Sequence, residues 1–235
     1  MKKPVIFLFM LLASLTVVSS AGDCNPLISP GLSWNFYRSS CPKVENIVRS
    51  ELKKALKKDI DLAATLLRIH FHDCFVQGCD ASVLLSGSQS EQDAPPNLML
   101  RPAAIELINT VRGRVHERCG RVVSCVDITA LLARDSVKLS GEPKYPVPLG
   151  RRDGTSFATH EVTLASLPPP SSNTQKLIEA VEKLNLDVKD LVTLSGAHTI
   201  GIGALPDTRQ HVEPVLRQQS QARLPFCQRR QHHCA

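Results

Sequence analysis

The sequence predicts an all-α domain. Aromatic residues make up only 4% of the 235 residues, so the core must consist mainly of Leu, Val, Ile and Ala, a composition that favours helices. Residues 44–57 repeat their apolar side chains with a period near 3.6, which is typical of an amphipathic helix. Ser124 precedes another apolar stretch, with Asp127 three residues later at the spacing of a helix capping box. A multi-helix architecture follows from these three observations.

The remaining elements are predicted in chain order. Helices are expected over residues 44–57, 61–74, 103–119, from Ser124 to a stop at Gly141, 173–184 and 187–200. Residues 86–101, rich in Ser, Gln, Asp, Pro and Asn, are predicted to form a long loop. The proline-rich residues 143–170 are predicted to be irregular or short-stranded. Residues 202–235 lack sustained periodicity, and we expect a divergent, disordered tail there.

The first 21 residues have the pattern of a secretory signal peptide. Lys2 and Lys3 form a basic start, residues 5–18 are apolar, and Ser19-Ser20-Ala21 offers small residues for cleavage. The apolar stretch is shorter than the roughly 20 residues of a membrane helix. We therefore expect a secreted protein with no membrane association after cleavage. The net charge of +6 is not arranged as a basic stripe with aromatics, so no nucleic-acid partner is expected.

Eight cysteines in a secreted chain predict disulfide bonds. They are Cys24, Cys41, Cys74, Cys79, Cys119, Cys125, Cys227 and Cys234. Eight cysteines allow 105 pairings, so the sequence alone does not choose among them. Only a Cys74–Cys79 bond is favoured locally, because the loop between these two residues is short.

Arg68 and His72 form a candidate acid–base pair. Residues four apart share one face of a helix, so both side chains are expected to project into the same space. A neutral imidazole can accept a proton while the guanidinium stabilises a developing anion. The positive charge of Arg68 also lowers the pKa of His72. His70 points to a different face, where a structural role is expected.

The loop after His72 is a candidate calcium site. Oxygen-bearing side chains occur at Asp73, Asp80 and Ser82, and turn residues such as Val76 and Gly78 offer carbonyl oxygens. Hard oxygen ligands suit calcium. A zinc site made of His72, Cys74 and Cys79 is the competing interpretation, but its cysteines would have to stay reduced outside the cell.

His198 is a candidate haem ligand. It lies among small and apolar residues, and Gly196 would let another group approach closely. An axial ligand of haem iron needs such neighbours, because they leave space for the macrocycle. The chain has no Cys-x-x-Cys-His sequence, so any haem would be held without covalent attachment. A cluster at 232–234 (HHC) is a weaker candidate for metal binding.

Four blocks of sequence together resemble the secreted class III plant peroxidases over residues 32–201. The blocks are Asn35-Phe36-Tyr37 with Ser40-Cys41-Pro42, residues 67–82 (LRIHFHDCFVQGCDAS), Val123-Ser124-Cys125 with Asp127, and residues 194–201 (LSGAHTIG). Glu91, residues 93–97 (DAPPN) and residues 149–154 (LGRRDG) agree as well. The resemblance implies an all-α haem-peroxidase fold.

The resemblance also implies roles for residues on the distal side of the haem. His72 would be the base that moves a proton between the peroxide oxygens, and Arg68 would stabilise charge as the O–O bond breaks. Phe71 would screen the iron, so that donors deliver electrons at the haem edge. Asn97 would accept a hydrogen bond from His72, with Glu91 supporting Asn97.

Further roles follow from the same resemblance. His198 would be the proximal ligand of haem b, and Pro168 would line the approach of phenolic donors. The calcium ligands would be Asp73, Val76, Gly78, Asp80 and Ser82. Thr199 matches the start of a second calcium site. The disulfides would be Cys41–Cys119 and Cys74–Cys79.

The resemblance weakens after Gly201. A further cysteine, the remaining second-site calcium ligands and an aspartate that would bind the proximal histidine are not recognisable in residues 202–235. Cys125 therefore loses its family partner. We expect residues 1–21 to be the signal peptide, 22–201 to be a C-terminally incomplete peroxidase domain, and 202–235 to be the divergent tail.

The expected function is that of a secreted haem peroxidase. It would reduce hydrogen peroxide and oxidise small phenolic donors, as a monomer in the extracellular space or cell wall, with the vacuole as another destination. Oxidative-stress response, peroxide catabolism and lignin chemistry would be its settings. The alternative is a truncated, non-catalytic relative that retains at most distal calcium binding.

Overall fold

The structure is a computed structural model that describes residues 28–201. The predicted signal peptide, the predicted tail, Cys24, Cys227, Cys234 and the 232–234 cluster lie outside the described residues. Within residues 28–201 there are seven α-helices and no β-strand beyond one isolated antiparallel bridge between Ser33 and Leu149. The all-α prediction is therefore confirmed.

The helices follow the predicted order with one addition. They are α1 (Val44–Leu56), α2 (Leu62–Val76), α3 (Pro102–Cys119), α4 (Cys125–Leu139), α5 (His160–Ser166), α6 (Thr174–Glu182) and α7 (Val188–Ser195). Helix α5 was not predicted, because it spans only seven residues and three prolines follow it closely. Its first turn is capped by Thr159, whose hydroxyl accepts a hydrogen bond from the Val162 amide at 3.3 Å.

The predicted long loop of residues 86–101 also contains regular structure. Two 3-10 turns, Glu91–Asp93 and Pro95–Asn97, interrupt it, and a third follows α2 at Ser82–Leu84. Proline suits the first positions of such a turn, because its φ angle is already close to the helical value and its missing amide is not needed there.

Helix α4 is the centre of the core. Every residue from Val126 to Ser136 is buried, so this helix is covered on all sides. Helices α1, α2 and α3 all pack against it. The predicted capping box is confirmed in one of its two hydrogen bonds: Ser124 accepts a hydrogen bond from the Asp127 amide at 3.3 Å. The Asp127 carboxylate instead turns inward and accepts hydrogen bonds from Tyr37 and the Gly150 amide.

A disulfide closes the core at one end. Cys41, just before α1, is bonded to Cys119 at the end of α3, across 78 residues. In the chain-entropy model, closing a loop of this length stabilises the fold by about 4 kcal/mol. This bond holds α1 and α3 together independently of the side chains between them.

The last two helices are much less covered. Val181 is the only buried residue of α6, and α7 has none among the residues described. Helix α7 begins with a true capping box, in which Asp187 accepts from the Asp190 amide and Asp190 accepts from the Asp187 amide, both at 2.9 Å. The predicted helix of residues 187–200 stops at Ser195, and a 3-10 turn, Gly196–Thr199, continues it.

Between residues 28 and 201, none of the helices is both long enough and apolar enough to cross a bilayer.

Candidate active site

Helix α2 places Arg68 and His72 side by side. The Arg68 Nε donates a hydrogen bond to the His72 Nε2 at 3.3 Å, as the four-residue spacing predicts. His72 is only 5% exposed, because α2 packs along α4 and turns this face inward. The pair therefore lies in a sheltered position, where a guanidinium acts more strongly on its neighbours than it would in water.

The far side of the His72 ring is held by Asn97. The His72 Nδ1 lies 2.5 Å from the Asn97 Oδ1, and the Asn97 Nδ2 donates to the Glu91 carbonyl oxygen at 2.6 Å. The network assigns the proton to Nδ1, since the amide nitrogen of Asn97 is already used. His72 therefore keeps Nε2, the atom that faces Arg68, as its basic nitrogen.

Glu91 anchors this arrangement to another part of the chain. Its carboxylate Oε1 accepts a hydrogen bond from the Ala158 amide at 2.8 Å, just before α5. Glu91 is completely buried, and so is Asn97 to within 2%. The 3-10 turns of the former loop thus carry both residues, and helix α5 packs against these turns.

The electrostatic environment keeps the His72 ring neutral. Burial lowers the pKa of His72 to about 4, and the positive charge of Arg68 acts in the same direction. The hydrogen bond with Asn97 opposes this shift but does not cancel it. His72 is therefore a neutral imidazole at pH 7 and can accept a proton.

A backbone contact that the sequence did not reveal orients Arg68. One Nη of Arg68 donates to the Pro96 carbonyl oxygen at 3.1 Å. Because Pro96 directly precedes Asn97, one rigid turn positions both members of the pair. In the sequence, the two consecutive prolines before Asn97 were the feature that could have indicated this rigid turn. Phe71 lies edge-on to the His72 ring, with 5.1 Å between ring centroids.

The loop after α2 collects the oxygen atoms expected of a calcium site. Asp73 and Ser82 are fully buried, yet the Asp73 Oδ1 and the Ser82 Oγ have no hydrogen-bond partner. Burial, together with the negative charge of Asp80, raises the pKa of Asp73 to about 7. Unsatisfied buried oxygens are costly, and a bound hard cation would remove that cost. The residues present therefore fit calcium.

The geometry of the same loop supports this interpretation. Gly78 has φ of +107° and Ala81 has φ of +62°, so the chain turns back sharply between Val76 and Ser82. The Gly154 amide donates to the Asp80 carbonyl oxygen at 2.7 Å. A Cβ at Gly154 would clash with the carboxylate of Asp80, so a larger residue there would displace that side chain.

The competing interpretation, a zinc site made of His72, Cys74 and Cys79, is wrong. Cys74 and Cys79 form a disulfide, as the resemblance implies, and a disulfide sulfur is not a thiolate ligand. The imidazole next to this pair is that of His70 and not that of His72. The Nδ1 of His70 lies 3.7 Å from the Cys74 sulfur.

His198 and Thr199 lie on the 3-10 turn that follows α7. This turn packs against α2, the helix that carries His72. The His198 side chain is exposed in the part of the chain that the structure describes, so its imidazole is accessible to a cofactor. The hydroxyl of Thr199 donates to the Gly196 carbonyl oxygen at 2.7 Å.

Pro168 follows the short helix α5. The preceding Leu167 is buried in a small cluster with Phe75 of α2 and Val181 of α6, and Phe71 packs against the same cluster. Pro168 itself is half-buried. The residue is therefore near the end of α2 that carries the candidate site.

Comparisons with known proteins agree with this arrangement. A family model described as peroxidase matches residues 48–235. The chain is 60% identical to Peroxidase 12 of Arabidopsis thaliana, over 80% of this chain and 53% of that protein. It is 57% identical to Cationic peroxidase SPC4 of Sorghum bicolor, over 79% and 53%. It is 45% identical to Peroxidase 42 of Zea mays, over 78% and 57%. The chain therefore spans about half the length of these curated relatives.

Proposed function

The chain belongs to the peroxidase family, in its plant class III group, and we propose that it acts as a secreted haem peroxidase. Its oxidising substrate would be hydrogen peroxide, and its donors small phenols that each give up one electron. The observation that carries the proposal is the hydrogen-bonded set of the buried His72 and Asn97 with the half-buried Arg68, in which a neutral imidazole and a guanidinium share one face of α2.

The chemistry of the distal residues follows from their geometry. His72 would accept a proton from one peroxide oxygen at Nε2 and return it to the other oxygen. The guanidinium of Arg68 would stabilise the negative charge that develops as the O–O bond breaks. Asn97 would keep the Nδ1 proton of His72 in place, so that Nε2 stays the basic atom throughout.

Haem b is the cofactor that the family generally binds, and it would supply the iron that takes electrons between peroxide and donor. His198 would hold the iron from one side, and its exposure leaves the imidazole free to do so. Phe71 would cover the side that carries His72 and direct donors to the haem edge. Pro168 would line that approach, next to the apolar cluster of Phe75 and Leu167.

Calcium would occupy the loop after α2. The ligands would be oxygens of Asp73, Val76, Gly78, Asp80 and Ser82. The unpartnered oxygens of Asp73 and Ser82 support this proposal. Because Asp73 directly follows His72 on α2, a cation there would also stabilise the end of the helix that carries the base. Thr199 would contribute to a second site, whose other ligands are not recognisable in this sequence.

A second function has its own support. Helix α7 has no buried residue in the described part of the chain, and this exposure favours a non-catalytic form that keeps only the calcium loop. The protein would be a secreted monomer in the cell wall, extracellular space or vacuole in either case.

Reconstitution separates the two functions. The chain from residue 22 onward is expressed and supplied with haem and calcium. A Soret band together with peroxide-dependent oxidation of guaiacol is the result expected of a peroxidase. Calcium binding without a Soret band would support the non-catalytic form. An Arg68→Ala, His72→Ala double variant is the matched control, because it should keep the Soret band and lose the oxidation.

A further inference from the structure

We propose that His160, the first residue of α5, is a positioning residue for His72. Its imidazole holds the backbone next to Glu91, the residue whose carbonyl oxygen accepts the hydrogen bond from Asn97. This role deepens the proposed function, and its consequence for catalysis rests on that function. It would make α5 part of the support of the candidate base.

The contact of His160 is with the Ser90 carbonyl oxygen. Nε2 of His160 lies 3.0 Å from this oxygen, and because a carbonyl only accepts, Nε2 carries a proton and donates it. The same oxygen accepts from the Asp93 amide at 3.0 Å, the hydrogen bond that closes the 3-10 turn Glu91–Asp93. Ser90 is only 3% exposed, so these two protein groups hold its carbonyl in place.

Only one residue separates this contact from the support of the base. The Glu91 carbonyl oxygen, the next one along the backbone, accepts from Asn97 Nδ2 at 2.6 Å. Asn97 Oδ1 in turn lies 2.5 Å from His72 Nδ1. A rotation of the backbone at Ser90 would therefore move the oxygen that orients the Asn97 amide, and with it the acceptor of the His72 proton.

The segment at the start of α5 holds the turn at two points. The Ala158 amide donates to the Glu91 carboxylate at 2.8 Å, whereas His160 donates to the backbone of Ser90. One hydrogen bond would leave the turn free to rotate about it, but two bonds to neighbouring residues fix its orientation. Helix α5 also packs against both 3-10 turns that carry Glu91 and Asn97.

Loss of the His160 contact should affect orientation more than stability. The Ser90 carbonyl would keep its hydrogen bond with the Asp93 amide, so no buried oxygen would be left without a partner. His160 itself is half-buried. We therefore expect a folded variant in which Asn97 and the Nδ1 proton of His72 are held less firmly.

Proton exchange tests this role in the full chain without haem. The exchange of the His72 Nδ1 proton with solvent is followed by NMR on isotope-labelled protein, with His72→Gln to assign the signal. His160→Ala should speed this exchange by about tenfold, the factor expected from the loss of one hydrogen bond. His160→Gln should restore slow exchange, because its side-chain amide can still donate to the Ser90 carbonyl.

The reaction of the haem-loaded chain with hydrogen peroxide is the second measurement. His160→Ala should slow it by about tenfold, since a displaced base transfers protons less well, and His160→Gln should recover the rate. His116→Ala, which removes another half-buried imidazole on α3, is the matched control. It should leave both the proton exchange and the rate unchanged.

Unchanged exchange or an unchanged peroxide rate in His160→Ala would overturn the inference, as would a His160→Gln variant that behaves like His160→Ala. An equal acceleration at the buried backbone amides of α4 would overturn it too, because His160 would then stabilise the fold as a whole. A chain that binds no haem would contradict the proposed function alone, and the exchange measurement would still decide whether His160 positions His72.

Discussion

Helices α4 and α7 show opposite ways of carrying functional residues. The residues from Val126 to Ser136 of α4 are all buried, and the helices packed on α4 include the one that bears His72. Helix α7 has no buried residue in the described structure, and Val188, Val192 and Leu194 are 51%, 67% and 42% exposed. His198 follows directly on this helix.

The difference concerns how far each half of the candidate site is preorganised. Around His72, each contact is fixed by another: Asn97 holds the ring, Glu91 holds Asn97, and the Ala158 amide holds Glu91. The His198 turn contacts α7 and α2, and the His198 side chain is exposed. The His72 side of the candidate site is therefore preorganised to a greater degree than the His198 side.

Removal of the base should give the largest effect. In the haem-loaded chain, His72→Ala should slow the reaction with hydrogen peroxide by about 10²–10⁴-fold, because the proton-transfer group is lost. Stopped-flow absorbance of the haem band measures this rate. His116→Ala on α3 is the control and should react normally. A small effect of His72→Ala would mean that the His72 side of the candidate site does not carry the chemistry.

Matched leucine substitutions compare the two helices in stability. Leu132→Ala in α4 should lower the free energy of unfolding by about 2–5 kcal/mol, because Leu132 is fully buried and a cavity remains. Leu194→Ala, on the exposed face of α7, should change the free energy of unfolding by no more than about 0.5 kcal/mol. Urea unfolding of the haem-free protein measures both. Equal losses would show that α7 is as well packed as α4.

Calcium should stabilise the His72 side of the candidate site. At a free concentration 100 times the dissociation constant, calcium should raise the free energy of unfolding by about 2.7 kcal/mol. Calcium removal by EGTA should reverse this gain, and Asp73→Asn should abolish it. The exposed Glu106→Gln is the control. A gain that survives in Asp73→Asn would place the cation elsewhere, away from the unpartnered oxygens.

Alkaline pH should weaken the core around α4 through Tyr37. Its hydroxyl donates to Asp127 at 2.8 Å, and burial, aided by the negative charge of Asp127, raises the pKa of Tyr37 to about 12. The unfolded chain loses this proton near pH 10, so the stabilisation is complete below pH 10 and disappears as the pH rises to about 12. The loss should be about 2–3 kcal/mol.

Tyrosinate absorbance at about 295 nm and urea unfolding between about pH 9 and about pH 12 measure this effect. Tyr37→Phe should remove the late-titrating tyrosine and flatten the pH dependence of stability. An ionisation of Tyr37 near pH 10, as in the unfolded chain, would show that the contact with Asp127 is not maintained.

Much of the site could be predicted because its key spacings are local. Arg68 and His72 are four residues apart on one helix, and the oxygens proposed to bind calcium lie within ten residues of each other along the chain. Helical geometry alone brings such residues together. The resemblance to class III peroxidases then supplied the long-range partners, including Asn97 and the Cys41–Cys119 pairing.

Other features could not be predicted because they depend on packing. Helix α5 has only seven residues and is followed by three prolines, so its periodicity is too weak to recognise. The capping pattern at Ser124 also misled, since the Asp127 carboxylate is drawn to Tyr37 and Gly150 and not back to its own helix. Propensity describes what a segment can do alone, and these contacts come from distant parts of the chain.

The sequence by itself determined the helical class, the pairing of Arg68 with His72 and the oxygen-rich loop, because helix periodicity and short-range spacing are properties of the chain. Only the tertiary structure decided that Pro96 holds Arg68, that the Ala158 amide holds Glu91, and that α7 has no buried residue in the described part of the chain. Burial and backbone contacts arise when distant segments meet, and no local pattern encodes them.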